Sequence, residues 1–241
     1  MSAPTIWYFI KFFAEERYAD QFMAGRLHLN TLAYFKRVES ERGDGRVDST
    51  EGVAMWWQPD DIIIMLNVPK MGQNIEITEK DLAAPVSMSF FDHNYLHLLC
   101  LYAVYSRGFE VIDGKFHGLP EEAEELQRQM KIDDRCFKFG KFAVITPAVP
   151  FLNQLKTALR SQGYKAKGKL VEYYDEETFH GAIPVNEIPF RKQKRFSYQR
   201  EFRLCVDTRV QQESHITIDI GNISRICAKV LRPSLVELQR D

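Results

Sequence analysis

The sequence predicts an α+β fold, a strand-rich mixed sheet core with a few flanking helices, and three observations carry that expectation. Short alternating or β-rich runs outnumber helical segments along the chain. The two kinds of segment do not alternate regularly, as a doubly wound α/β sheet would require. Hydrophobic residues make up 45% of the 241 positions and aromatics 12%, ample for a real core, and residues 1–241 read as a single domain.

Taken in order, "TIWYFIKFF" is aromatic and β-rich and predicts a first strand. "EERYADQFMAG" has acidic residues at its start, Tyr18 and Phe22 one turn apart and Gly25 as a stop, the marks of a helix. "RLHLN" alternates as a short strand and "TLAYFKRVE" reads as a helical turn. "SERGDGRVDSTEG" is the longest uninterrupted polar stretch, and loops of that length in compact domains usually serve a function or carry no fixed structure. Strands are expected at "VAMWWQ", "DIIIMLNV", "NIEIT", "PVSMSFF" and "LHLLCLYAVYS". "PEEAEELQRQM" starts with Pro and glutamates, as a helix N-terminus should. "KFAVITP" is a strand, and "PFLNQLKTALRSQG" is a helix with Phe151, Leu155, Ala158 and Leu159 on one face. "AKGKLVEYYD", "FSYQREFRLCV" and "HITIDIG" complete the strands.

Charge and cysteine usage exclude several classes of function. The net charge is -1, so the whole molecule has no bulk attraction for nucleic acid or an anionic membrane, and any such contact needs a local patch. No apolar run approaches the length that spans a bilayer, and the N-terminus lacks the features of a signal peptide. Cys100, Cys136, Cys205 and Cys227 form no CxxC pair, which argues for free thiols rather than a zinc or redox motif. A cytoplasmic protein with no membrane partner is the expectation. No Walker loop, strand-borne GxGxxG or GxSxG is present. His93 and His97 are spaced for a helical zinc pair, but a β-rich context would hold them ~13 Å apart, so no metal is expected.

Residues 196–206 hold the sharpest candidate. Read with a period of two, Phe196, Tyr198, Phe202, Leu204 and Val206 share one face, interrupted by Arg200. Ser197, Gln199, Glu201, Arg203 and Cys205 share the other, predicting a half-buried strand with one polar face. That face is either a solvated surface with a Glu–Arg partner or the floor of a site. Gln-x-Glu on a strand resembles the third catalytic motif of ADP-ribosyltransferases. Breaking the nicotinamide–ribose bond of NAD passes through an oxocarbenium-like centre, which a nearby carboxylate stabilises. The resemblance implies Glu201 in that role, with Gln199 orienting the acceptor.

The first motif of such enzymes is a strand carrying His or Arg; here "WYFIKFF" offers Tyr8 and Lys11 instead. For the middle motif the chain offers Ser87 with Ser89, Tyr34, and Tyr102. More widely, the chain is similar to a bacterial and phage-associated family. The positions that carry this are Phe12, Gly25, Leu27, Asn30, Leu32, Tyr34 and Phe35, then Arg42-Gly43-Asp44 and Glu51-Gly52. Cys100 with Tyr102, Phe139-Gly140 with Ala143-Val144-Ile145, and Phe196 through Arg203 follow. The resemblance implies a compact ADP-ribosyltransferase-like fold, NAD as substrate, and relatives that act as toxins in phage defence, some on nucleic acid. It further implies Lys11, Tyr34, Arg42, Asp44, Tyr102 and Arg203 as NAD-binding residues, and an antitoxin or chaperone partner.

Two other stretches carry chemistry. In the polar loop, Arg42 suits a pyrophosphate, and Asp44, Asp48 and Glu51 suit a hydroxyl, although glycines and aspartates also make plain turns. "PFRKQKRFSYQR" sets Arg191, Lys192, Lys194, Arg195 and Arg200 among Phe190, Phe196 and Tyr198, a pattern that suits single-stranded nucleic acid or a solvated strand edge. The acceptor, RNA, DNA or protein, is therefore left open. So are a non-catalytic nucleic-acid-binding protein on the same fold and a Mg²⁺-dependent phosphodiester-cutting enzyme using the Asp44/Asp48/Glu51 loop.

Overall fold

The computed structural model describes residues 3–42, 50–70, 72–109, 111–112, 115–116 and 119–231. In chain order the first elements are β1 (Thr5–Phe13), α1 (Glu16–Met23), β2 (Arg26–Thr31), α2 (Leu32–Arg42), β3 (Val53–Trp57), β4 (Ile64–Val68), β5 (Gln73–Ile77), β6 (Val86–Ser89) and β7 (His97–Ser106). There follow β8 (Val111–Ile112), β9 (Lys115–Phe116), α3 (Pro120–Met130), β10 (Phe142–Pro147), α4 (Ala148–Ser161), β11 (Lys165–Leu170) and β12 (Glu172–Tyr174). β13 (Gly181–Ala182), β14 (Arg191–Gln193), β15 (Glu201–Asp207), β16 (Ile216–Asp219) and β17 (Ala228–Leu231) end the described chain. The expected class, mixed α+β and rich in strands, is what the structure has.

The main sheet has eight strands. Six run in the order β11-β15-β7-β1-β10-β17, each antiparallel to its neighbours, and β2 joins β7 while carrying β16 on its other side. Smaller sheets are β13-β3-β6, the parallel pair β12-β14, and the hairpins β4-β5 and β8-β9. One face of the main sheet packs Phe9, Leu101, Ala103, Val144, Phe202 and Leu204 against Phe22 of α1 and Phe151, Leu155 and Leu159 of α4. Phe9 sits at its centre, its ring 4.8 Å from that of Phe202 and 5.7 Å from that of Phe151. The opposite face packs Ile10, Tyr102, Val104 and Ala143 under Ile132, Cys136 and Phe137. The lysines of β11 (Lys165, Lys167, Lys169) charge one outer edge, a standard guard against edge-to-edge pairing.

Several expectations need correction. β15 is not a half-buried strand over residues 196–206: it begins at Glu201, and Lys194–Gln199 is a 3₁₀ turn. Arg200 separates the two in the left-handed region, at φ 41° and ψ 49°. From Glu201 to Val206 every residue is buried, because β15 lies between β7 and β11 with both faces covered. A period-two pattern reports only that the faces differ. "TLAYFKRVE" is part of a full helix running to Arg42, so the polar stretch begins helical. "AKGKLVEYYD" is broken at Val171, whose N–H bonds the Glu201 carbonyl, after which β12 turns away to pair with β14.

The glycine that follows α1 is set by a close approach of two backbones. Gly25, between α1 and β2, has φ 91°, and a Cβ there would lie 2.0 Å from the Gly221 carbonyl oxygen. Ile220 N–H also bonds the Gly25 carbonyl, so neither backbone has room to shift. Gly25→Ala is expected to destabilise the fold by about 2 kcal/mol or more, read as a lower urea midpoint with an unchanged m-value.

Candidate functional site

Among the described residues Arg203 is the largest fully buried side chain, with 1% exposure. It stands on β15 opposite Cys100 of β7, and Glu201 stands opposite Tyr102, so all four lie on one face of the sheet. That face is closed off by Glu51, from the segment entering β3, and by the turn at Pro189. Each of the five guanidinium N–H groups has a partner. Nε donates to Glu201 Oε1 (2.8 Å) and Nη2 to Glu201 Oε2 (3.2 Å). Nη2 also donates to Glu51 Oε1 (2.6 Å), and Nη1 to Glu51 Oε2 (2.8 Å) and the Pro189 carbonyl (2.9 Å). The planar fork thus holds two carboxylates, each bidentately.

Lys192 completes the network. Its ammonium lies 2.9 Å from Glu51 Oε1 and 3.5 Å from Glu201 Oε2, and donates to Gln199 Oε1 at 2.9 Å. Gln199 and Glu201 are therefore brought together through Lys192 and the left-handed Arg200, not through a shared strand face as expected from the alternation. Arg200 is held by stacking 3.9 Å over the Tyr105 ring and by donating to the Tyr105 carbonyl. Tyr173 accepts from the Glu201 backbone N–H at 3.0 Å.

The electrostatics follow from burial and pairing. Burial opposes charge on Glu201, but Arg203 and Lys192 outweigh it and hold the carboxyl well below the usual carboxylate range. Glu51 is lowered by the same two cations against the same opposition. Lys192 and Arg203 are raised, their carboxylates overcoming desolvation, while burial pushes the Cys100 thiol upward. All four network members are ionised at neutral pH, two of each sign.

Lys11 adds a basic group at a break in the sheet. β7 pairs with β1 as far as Ile10↔Tyr102, and along the same edge with β2 from Asn30↔Leu98. Between the two, the Lys11 ammonium donates to the Cys100 carbonyl at 2.8 Å. Burial lowers its pKa, with Cys100 and Glu201 acting against that shift. Its one hydrogen bond among the described residues is to a neutral acceptor. Lys36, also lowered by burial, bonds Asn94 Oδ1 at 3.1 Å and feels the charge of Glu51.

The remaining candidate residues are placed as follows. Tyr102 is buried next to Glu201, its hydroxyl 3.4 Å from the Lys131 carbonyl. Tyr34 is half-buried on α2, edge-on to Phe35. The Arg42 side chain, Asp44 and Asp48 lie outside the described residues. Arg203, expected to contact NAD, has every donor taken by protein acceptors and instead positions Glu51 and Glu201. Glu51, read as a ligand for a hydroxyl, is tied to Arg203 and Lys192.

The basic run is not one cationic surface. Lys192 is buried in the network, Arg191 pairs with Glu172 (2.8 Å), Lys194 with Asp175 (2.9 Å) and Arg195 with Glu176 (3.8 Å). Tyr198, expected to stack on a base, carries Arg135 over its ring at 4.0 Å. His93 lies in a 3₁₀ turn and His97 starts β7, and no group of three His, Cys, Asp or Glu among the described residues is arranged to hold a metal ion. No helix among them is long and apolar enough to cross a membrane. No protein-family model, curated protein or solved structure matches the chain.

Two tests follow from this geometry. Arg203→Met leaves two carboxylates buried without their cation and is expected to cost about 3–5 kcal/mol. Adding Glu51→Gln should recover part of that loss, because the two residues are directly coupled. Between their depressed values and their ordinary 4.5, folded Glu51 and Glu201 bind fewer protons than the unfolded chain. Their contribution is thus fully present above about pH 4.5 and is lost as the pH falls below it. Denaturant midpoints measured across that range should fall steeply on the acid side, and less steeply in Glu51→Gln.

Proposed function

We propose that the chain is an NAD-dependent ADP-ribosyltransferase on an ADP-ribosyltransferase-like fold, with Glu201 as its catalytic carboxylate. The observation that carries this reading is a buried Glu201, held by the Arg203 guanidinium and close to Lys192 at the start of β15, beside the break in the sheet where Lys11 sits. Glu201 Oε1 is held at 2.8 Å by Arg203, whereas among the described residues Oε2 has the longer contacts of 3.2 and 3.5 Å. Oε2 is the oxygen able to accept a ribose hydroxyl. Glu51, Glu201, Arg203 and Lys192 cancel in charge, and Lys11 adds a basic group bonded to a neutral carbonyl. That balance suits a substrate carrying a pyrophosphate.

In this reading the bond between nicotinamide and the ribose breaks, and nicotinamide leaves as a neutral base with the bonding electron pair. Positive charge develops on the ribose, and the Glu201 carboxylate stabilises it. The acceptor, a nucleic-acid or protein nucleophile, bonds the anomeric carbon and releases its proton to solvent. Gln199, tied to Glu201 through Lys192, orients the acceptor, and Lys11, Tyr34 and Tyr102 help to hold NAD. A toxin of this kind would need an antitoxin or chaperone partner.

The test is NAD labelled on the adenylate, incubated with wild type or Glu201→Gln in a lysate of the native host, with label followed separately in protein, RNA and DNA. Transfer by wild type should fall by on the order of 10²–10³ in the variant, with folding checked by its melting curve. Undiminished transfer by a folded Glu201→Gln would overturn the assignment of Glu201. Absence of both transfer and nicotinamide release by wild type would overturn the enzyme reading.

A further inference from the structure

We propose that the hairpin β4–β5 is a docking arm for an extended, basic segment of another protein, which adds to it as a further strand. Between Trp56 and His97 no described residue is fully buried, and Leu96, at the end of this excursion, is its described residue that packs against a core cluster. The excursion nevertheless carries seven of the fourteen large hydrophobic residues that stand exposed among the described residues: Ile63, Met65, Leu66, Ile75, Met88, Phe90 and Phe91. Among the described residues β4 and β5 pair only with each other, which leaves both outer edges of the hairpin without a strand partner there. The register Ile64↔Ile77 and Leu66↔Ile75 puts four aliphatic side chains on one face, with Leu66 and Ile75 45% and 46% exposed. A two-stranded hairpin is marginal by itself, and an open apolar edge is a liability unless something covers it. A third strand remedies both, through main-chain hydrogen bonds and contact with the aliphatic face.

Charge selects the occupant. Residues 59–82 carry five carboxylates (Asp60, Asp61, Glu76, Glu79, Asp81) against Lys70 and Lys80, in a chain whose net charge is only -1. Asp81 caps Thr78, and Asp61 lies 3.5 Å from His180; Asp60, Glu76 and Glu79 are exposed. This acidic setting repels nucleic acid and anionic lipid. A second copy would bring the same negative arm, and its run Arg191–Arg195 is already ion-paired internally. An extended segment with alternating apolar and Lys or Arg residues complements both the aliphatic face and the charge.

The test needs no activity and so stands apart from the reading of Glu201. A synthetic peptide of about nine residues, matched to strand length, with alternating Val and Lys, is titrated into the full chain. Binding is followed by hydrogen exchange of the β4 and β5 amides. The expected result is protection of those amides, weakening with added salt, and at least about tenfold lower affinity in Leu66→Lys/Ile75→Lys. Both positions are exposed, so the melting curve of the double variant should match wild type. No protection at millimolar peptide, or equal binding of a Val/Glu peptide, overturns the proposal. So does self-association, or binding to phosphatidylserine vesicles, that the double variant abolishes, since either would name a different occupant.

Discussion

A guanidinium withdrawn from water must find an acceptor for each of its five N–H groups, and the way Arg203 meets that demand organises the middle of the molecule. Two of its partners belong to Glu201 on its own strand, two to Glu51 about 150 positions earlier in the chain, and one to the turn at Pro189. Breaking any of these leaves a charge or a donor unsatisfied in a low-dielectric interior. The approach to β3, the turn before β14 and the head of β15 are therefore held in one arrangement. Lys192 is drawn in by the same logic, because two carboxylates around one guanidinium would otherwise leave an uncompensated negative charge.

Buried ion networks of this kind are a weak source of net stability compared with a well-packed apolar core. What this one achieves is geometric: it orients a carboxylate to within the tolerance of several hydrogen bonds and keeps it ionised. The left-handed backbone at Arg200 belongs to the same construction. A non-glycine residue in that region is strained, and here it is held by the stack on Tyr105 while the chain changes from a 3₁₀ turn to a strand between Gln199 and Glu201. The break in the sheet beside Lys11 lies against the same stretch of β7. Strain, buried charge and an interrupted ladder thus coincide at one place, where the fold has departed from the arrangement that packing alone would favour.

Away from that place the molecule is conventional. Phe9, Phe151 and Phe202 anchor a close-packed layer between the sheet and α4, and lysines guard the β11 edge. The excursion from β3 to β7 is the contrast, with apolar residues turned outward on a frame too thin to bury them.

The sequence by itself determined the α+β class, the existence of most strands and of α1, α3 and α4, and the nomination of residues 196–206 as the stretch to inspect. These are local properties: periodicity, caps and turn residues act over a few neighbours and are written in consecutive positions. It also placed Glu51 and Arg203 among the notable residues, without indicating that they meet. The tertiary structure decided that they form one ion network, that the polar side of β15 is buried, and that Lys192 belongs to the network and not to a cationic surface with Arg191, Lys194 and Arg195. Alternation states that two faces of a strand differ, but whether a polar face meets water depends on which distant strands flank it. A charge run states that cations are present, but whether they are available depends on carboxylates such as Glu51, Glu172 and Asp175, brought beside them only when the chain folds.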